Sequence, residues 1–133
     1  MDQAQLPQRL YQQLLDAARA RPDEEVCGLI STNGSIATRC YNIPNSHSQA
    51  QTAFEMAPDR LIDAFRDMRD RSEQLWGIYH SHPRGPATPS ARDLAACGYP
   101  DALQLIITPH TEPPVHAWRY HKHTALPVKL EIG

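Results

Sequence analysis

The sequence predicts an α/β or α+β chain with one mixed β-sheet flanked by helices, and three observations predict it. Some segments carry apolar residues at helical spacing, others are short apolar runs between turn residues, and the two kinds interleave along the chain. The 133 residues are one domain's worth, so residues 1–133 are expected to form a single domain with a real core and no disulfide staples.

Leu6, Leu10, Leu14, Leu15 and Ala18 recur at helical spacing, which predicts an amphipathic helix over 6–20 that Arg21-Pro22 ends. Val26–Ile30 reads as a buried strand. Asn33-Gly34 is a strong hairpin dipeptide, with Ser35–Ile43 as the returning strand. A polar loop over 44–51 precedes a short strand expected at Thr52–Met56. Pro58 suits the first turn of a helix running to about Arg71, with Leu61, Ile62, Phe65 and Met68 on its apolar face. Leu75–Tyr79 is a strand that leads directly into His80-Ser81-His82-Pro83. Ser90–Cys97 reads as a helix, and Leu103–Thr108, Val115–Tyr120 and Val128–Ile132 as the remaining strands.

Composition removes several function classes. Thirteen Lys and Arg against fifteen Asp and Glu give a net charge of −2, which provides no bulk attraction to nucleic acid or an anionic membrane. No apolar run approaches the roughly 20 residues needed to span a bilayer. The polar, glutamine-rich stretch Met1–Leu15 does not resemble a signal peptide. Cys27, Cys40 and Cys97 are odd in number and widely spaced, so no disulfide framework or thiolate zinc knuckle is legible. A reducing cytoplasm is the expected compartment.

The chemistry concentrates in His80-Ser-His82-Pro-Arg-Gly-Pro-Ala-Thr-Pro-Ser90-Ala-Arg-Asp93. Side chains two apart on an extended backbone share a face, so His80 and His82 can grip one ion from a strand end. Asp93 would join them from the first turn of the next helix. Two imidazoles and a carboxylate leave a fourth tetrahedral position open, as a catalytic zinc site requires. Each part has an ordinary explanation as well. A lone His-x-His is weak, and His121-Lys-His123 is a second one that reads as a surface pair. Ser90-x-x-Asp93 alone is a helix capping box. The whole pattern, however, arises by chance in only about one such composition per thousand, and that favours metal, with capping alongside.

The motif His80-x-His82-x7-Ser90-x-x-Asp93 resembles the signature of the JAMM (MPN+) zinc metalloproteases. Upstream, Pro22-Asp-Glu-Glu25-Val-Cys-Gly28-Leu-Ile30 is similar to the family's strand bearing its catalytic glutamate. The resemblance implies an α/β JAB/MPN architecture related to the cytidine deaminases. It also implies a single Zn2+ on His80, His82 and Asp93, with Glu25 as general acid/base toward a zinc-bound water and Ser90 steadying the oxyanion. Glu24 competes for the base role, because neighbours on an extended segment face opposite ways. The family pattern selects Glu25. The compact stretch after Asp93 looks like the minimal bacterial form of the family. That form implies a peptidase or isopeptidase acting after the C-terminal Gly-Gly of a small ubiquitin-like sulfur carrier, with a homo-oligomer possible.

Other residues have plainer readings. Trp76, Trp118 and Tyr120 are expected to pack within the sheet, and Glu55 to be a solvated carboxylate. Arg84 and Arg92 flank the motif, and His110 and His116 have no partner at ligand spacing. A Cys27 nucleophile lacks a readable histidine partner. A zinc deaminase would need His-x-Glu and Pro-Cys-x-x-Cys elements, and the chain has neither. The remaining alternative is a non-catalytic MPN-type interaction module, which requires five chemically suited positions to stand idle.

Overall fold

The computed structural model describes residues 3–133; Met1 and Asp2, the start of the polar stretch Met1–Leu15, lie outside the described residues. Seven strands form one mixed sheet in the order β1-β7-β6-β5-β4-β2-β3. They are β1 Gln3–Leu6, β2 Cys27–Thr32, β3 Ala37–Ile43, β4 Gln74–Ser81, β5 Leu103–Ile107, β6 Val115–His121 and β7 Thr124–Ile132. The pairs β1–β7 and β4–β5 are parallel, and the other neighbours are antiparallel. Helices α1 (Gln8–Ala20), α2 (Pro58–Asp70) and α3 (Ala91–Ala95) are the helices of the described residues.

The period-two alternation of the strands divides the core into two layers. On one face α1 buries Leu10, Leu14, Leu15 and Ala18 against Leu103, Leu105, Ile107 and Val115. On the other, Ala64 and Met68 of α2 pack on Leu29, Ile43, Ile78 and Ala102. Fully burying a Leu or Met side chain contributes roughly 1.5–3 kcal/mol, so each helix is held chiefly by its apolar stripe. The loop after β4 and the short helix α3 occupy the α2 face, beyond the C-terminal end of the parallel pair β4–β5.

Several expected boundaries shift for physical reasons. Leu6 belongs to β1 and not to a helix, since the residue before Pro7 is biased to extended backbone and α1 starts only after that proline. The hairpin loop covers 33–36: Gly34 takes a φ of +103°, and the Asn33 side chain accepts from the N–H groups of Ser35 and Ile36. β3 therefore begins at Ala37, two residues later than expected. The segment 52–56 is no strand; among the described residues its ladder contact is an isolated bridge between Asn45 and Met56. Ile62 is exposed and does not join the apolar face of α2. The helix after Ser90 is shorter than expected and ends at Ala95.

Candidate metal centre

His80 and His82 stand at the end of β4, on the same face as Ile78. The strand continues past Ser81 because the His82 N–H donates to the Ile107 carbonyl of β5. Asp93 approaches from α3. The Nε2 atoms of His80 and His82 are 3.0 Å apart, and Asp93 Oδ2 lies 3.2 Å from the first and 3.0 Å from the second. Ligands held about 2.0–2.1 Å from a tetrahedral zinc are roughly 3.3 Å from one another, so the triangle has the right size for one ion. Glu25 completes the group, with ligand atoms of all four residues within 4.8 Å of one another.

Proton bookkeeping explains why this triangle calls for a cation. His82 Nδ1 is 2.8 Å from the Pro86 carbonyl, which can only accept, so Nδ1 carries a proton, and in the neutral ring Nε2 presents a lone pair. That lone pair faces both a carboxylate oxygen and the His80 Nε2. Three electron-rich atoms at about van der Waals contact or closer repel unless a proton or a metal ion lies between them. The donor set of two imidazoles and a carboxylate suits zinc. His80 is held differently: its ring stacks on Phe54 with centroids 4.5 Å apart, and its buried Nδ1 has no hydrogen-bond partner among the described residues.

Asp93 and Ser90 form the capping box as well. The Asp93 N–H donates to Ser90 Oγ at 3.0 Å, and the Ser90 N–H to Asp93 Oδ2 at 2.9 Å. Capping thus leaves Asp93 Oδ2 facing both imidazoles. Ser90 Oγ accepts within the box, which leaves its own hydrogen free to donate. Burial would raise the Asp93 carboxyl, but the facing His80 and His82 nitrogens and the Ser90 N–H outweigh it and hold the acid well below its usual range. Burial lowers His80, whereas for His82 the Asp93 carboxylate and the Pro86 carbonyl outweigh burial and raise it.

Glu25 is 6% exposed, and its Oε1 has no hydrogen-bond partner. Its backbone is pinned on both sides: the N–H donates to Ala50 O at 2.7 Å, and its carbonyl accepts from the Asn45 side chain at 2.9 Å. Burial lifts its carboxyl from 4.5 to about 7, with His82 pulling it back and Asp93 pushing it further up. A carboxyl poised there can take and return a proton at neutral pH. Glu24 is half-buried and pairs with Arg21 instead.

The structure thus brings together Glu25, His80, His82, Ser90 and Asp93. His121 and His123 are exposed at the β6–β7 turn, outside the group. Glu55 is exposed. Cys27 is buried, and burial pushes its thiol up to about 12, the wrong direction for a nucleophile. Supporting residues that sequence inspection passed over are Ser81, whose Oγ accepts the Val26 N–H at 2.8 Å, along with Asn45 and Phe54. Ser81 could have been found, since it occupies the opposite-facing position within His-x-His; Asn45 and Phe54 act through a loop with no local signal. Two cavities of about 430 Å³ flank the group. One touches His80 and Asp93 and is walled by Phe54, Met56, Leu61 and Tyr99. The other is bordered by Glu25, His82 and Ser90 together with Thr52, Pro83 and Pro86.

A mixed sheet between helices, with imidazoles and carboxylates gathered beyond the end of its parallel pair, is the architecture of a metal-dependent hydrolase. The family model for prokaryotic homologs of the JAB domain matches residues 7–121, and the chain belongs to that family; it is a hydrolase of the JAMM type. It is 25% identical over 118 residues to a desampylase of Haloferax volcanii, covering 87% of this chain and 85% of that protein. Over 56 residues it is 41% identical to the "probable TtuB-protein conjugate cleaving protease" of Thermus thermophilus, a match covering 42% of this chain and 38% of the other. The solution structure of a Desulfitobacterium hafniense protein superposes with a TM-score of 0.85 at 26% identity, covering 98% of this chain and 92% of that one.

Proposed function

We propose that the chain, acting as one domain in a reducing cytoplasm, is a zinc-dependent peptidase or isopeptidase. Its substrate in this reading is a small ubiquitin-like protein of the sulfur-carrier kind, cut after a C-terminal Gly-Gly. The observation that carries the proposal is the meeting of His80 Nε2, His82 Nε2 and Asp93 Oδ2 at 3.0–3.2 Å, with the His82 proton committed to Pro86. Those three residues would hold one zinc. Zinc bound there would polarise the scissile carbonyl and make an attacking water acidic at neutral pH.

The remaining work falls to the chain's own groups. Glu25, its Oε1 unpaired among the described residues and its carboxyl poised near neutrality, accepts the proton that the attacking water gives up. It then delivers that proton to the departing amine nitrogen, so the C–N bond breaks without expelling an amide anion. The Ser90 hydroxyl donates to the oxygen that gains negative charge as the carbonyl becomes tetrahedral. A Gly-Gly tail suits this centre because glycine lets the substrate backbone approach closely, with no side chain to displace Phe54 or the 83–90 loop. The named activities of the two relatives, a desampylase and a conjugate cleaving protease, support the substrate class.

The test is zinc content of untagged protein purified without added metal, measured for wild type and for His80→Ala/His82→Ala, followed by cleavage of a carrier fusion. About one zinc per wild-type chain, none in the variant and cleavage only by the former is expected. If neither protein binds zinc even when it is added, the proposal falls, and a non-catalytic interaction module takes its place.

A further inference from the structure

Between His82 and Ser90 the chain passes Pro83, Gly85, Pro86 and Pro89 without a strand or helix of its own. Two adjacent carbonyls of this loop are each fixed by a ring N–H. His82 Nδ1 donates to Pro86 O at 2.8 Å, and Trp118 Nε1 donates to Ala87 O at 3.1 Å. Trp118 comes from β6, 31 residues further along the chain and two strands away from β4. It pairs with Gln104 of β5 in the ladder, so its backbone is part of the rigid sheet and its half-buried ring is an arm from that sheet to the loop.

We infer that Trp118 is a positioning residue for the Ser90 side of the site, its indole N–H tying Ala87 down so that Ser90 and the Pro86 carbonyl keep their places. Sequence alone suggests only packing for this tryptophan. An indole offers one donor and no acceptor, and here that donor is spent on the loop that joins one imidazole to the oxyanion donor. The loop has no regular structure to define its path, and Gly85 adds freedom in its first half. Fastened at Ala87, it has only Thr88 and Pro89 left before Ser90. The placement matters because a donor displaced by about 1 Å can cost a large factor in rate. Trp118 lies outside the group of candidate ligands, so it acts through the loop.

The inference rests on the hydrolase reading, and Trp118→Phe tests it by keeping a large ring while deleting the N–H. In metal-free protein, 15N relaxation is expected to show the amides of Arg84, Gly85, Ala87 and Thr88 becoming mobile, with β5 and β6 amides unchanged. In zinc-loaded protein, kcat for a carrier fusion should fall about two- to tenfold, the worth of one hydrogen bond, with KM unchanged. In a Ser90→Ala background the same substitution should cause a smaller fall, because the Ser90 part of its effect is already gone. An equal fall in both backgrounds, or loop relaxation and kcat as in wild type, overturns the inference. Should Trp118→Phe fold poorly, the wild-type indole N–H serves instead: slow exchange with solvent is expected, and fast exchange overturns the tie. A wild type that cleaves no carrier fusion removes the hydrolase reading, while the relaxation and exchange measurements still decide the anchoring.

Discussion

Cys27 stands opposite His80 in the antiparallel β2–β4 ladder, and continuing that register by two residues sets Glu25 against His82. Ser81 secures the extension: its N–H donates to Val26 O, and its hydroxyl accepts the Val26 N–H. The Glu25 carboxylate and one imidazole are therefore placed by the same pairing, across the 55 residues that separate Val26 from Ser81.

The proposed mechanism gives Glu25 a role distinct from holding the ion. Glu25→Gln keeps the side chain's shape and leaves His80, His82 and Asp93 untouched. Zinc content should stay at the wild-type level while carrier cleavage falls about 10²- to 10⁴-fold, the usual worth of a general acid/base. Turnover equal to wild type in the zinc-loaded variant would remove Glu25 from the chemistry.

Gly28 controls whether that register can form. A Cβ at this position would run into the Tyr41 carbonyl and stand 2.5 Å from the Tyr79 hydroxyl. The tyrosine ring is fully buried and bonded to the Asn42 side chain, so it has no room to retreat. Gly28→Ala is expected to destabilise the protein by about 3 kcal/mol or more, at the upper end of overpacking costs. Urea unfolding of metal-free protein checks this, and a midpoint like that of wild type would contradict it.

Much of this was legible in the chain before folding. The apolar stripes of α1 and α2 have strict helical spacing, and the motif from His80 to Asp93 is local, so its geometry follows from one strand end and one helix cap. Glu25 was legible only through family pattern, because its place depends on pairing between segments far apart in sequence. The same holds for Asn45, Phe54 and the Ala87 bond of Trp118, which are long-range contacts with no periodic signature. β1 was missed because four residues before a proline carry too little alternation to distinguish them from a helix start.

The two His-x-His pairs separate cleanly in space, and metal binding should follow. Asp93→Ala removes a ligand atom that touches both imidazoles, and zinc affinity should drop more than tenfold, since even outer partners of ligands are worth about 10–100-fold. His121→Ala changes an exposed turn residue and should leave affinity unaltered. Competition with a chelating dye reads both. Loss of zinc from the His121 variant alone would mean that the wrong pair has been assigned.

Metal-free protein should also report the burial of Glu25 as a pH-dependent stability. Its carboxyl is raised from 4.5 to about 7, by burial first, with His82 opposing and Asp93 reinforcing. Between those values the folded state keeps a proton that the unfolded chain has released, so stability falls as pH rises through the window. The ceiling is about 3 kcal/mol, since each tenfold change in proton affinity is worth about 1.4 kcal/mol. Neighbouring groups contribute too. His82, raised, also loses stability as pH climbs above 6.5, while His80, lowered, gains it as pH climbs towards 6.5. Comparing wild type with Glu25→Gln reads the carboxyl together with its pull on His82, because the amide neither titrates nor carries the charge that helps to raise that imidazole. In urea unfolding of chelated protein, the variant's stability relative to wild type should grow from pH 4.5 to 7 and then level off. A difference that stays constant across that range would show that Glu25 ionises as freely in the folded protein as in the unfolded chain, leaving it no proton to exchange near neutrality.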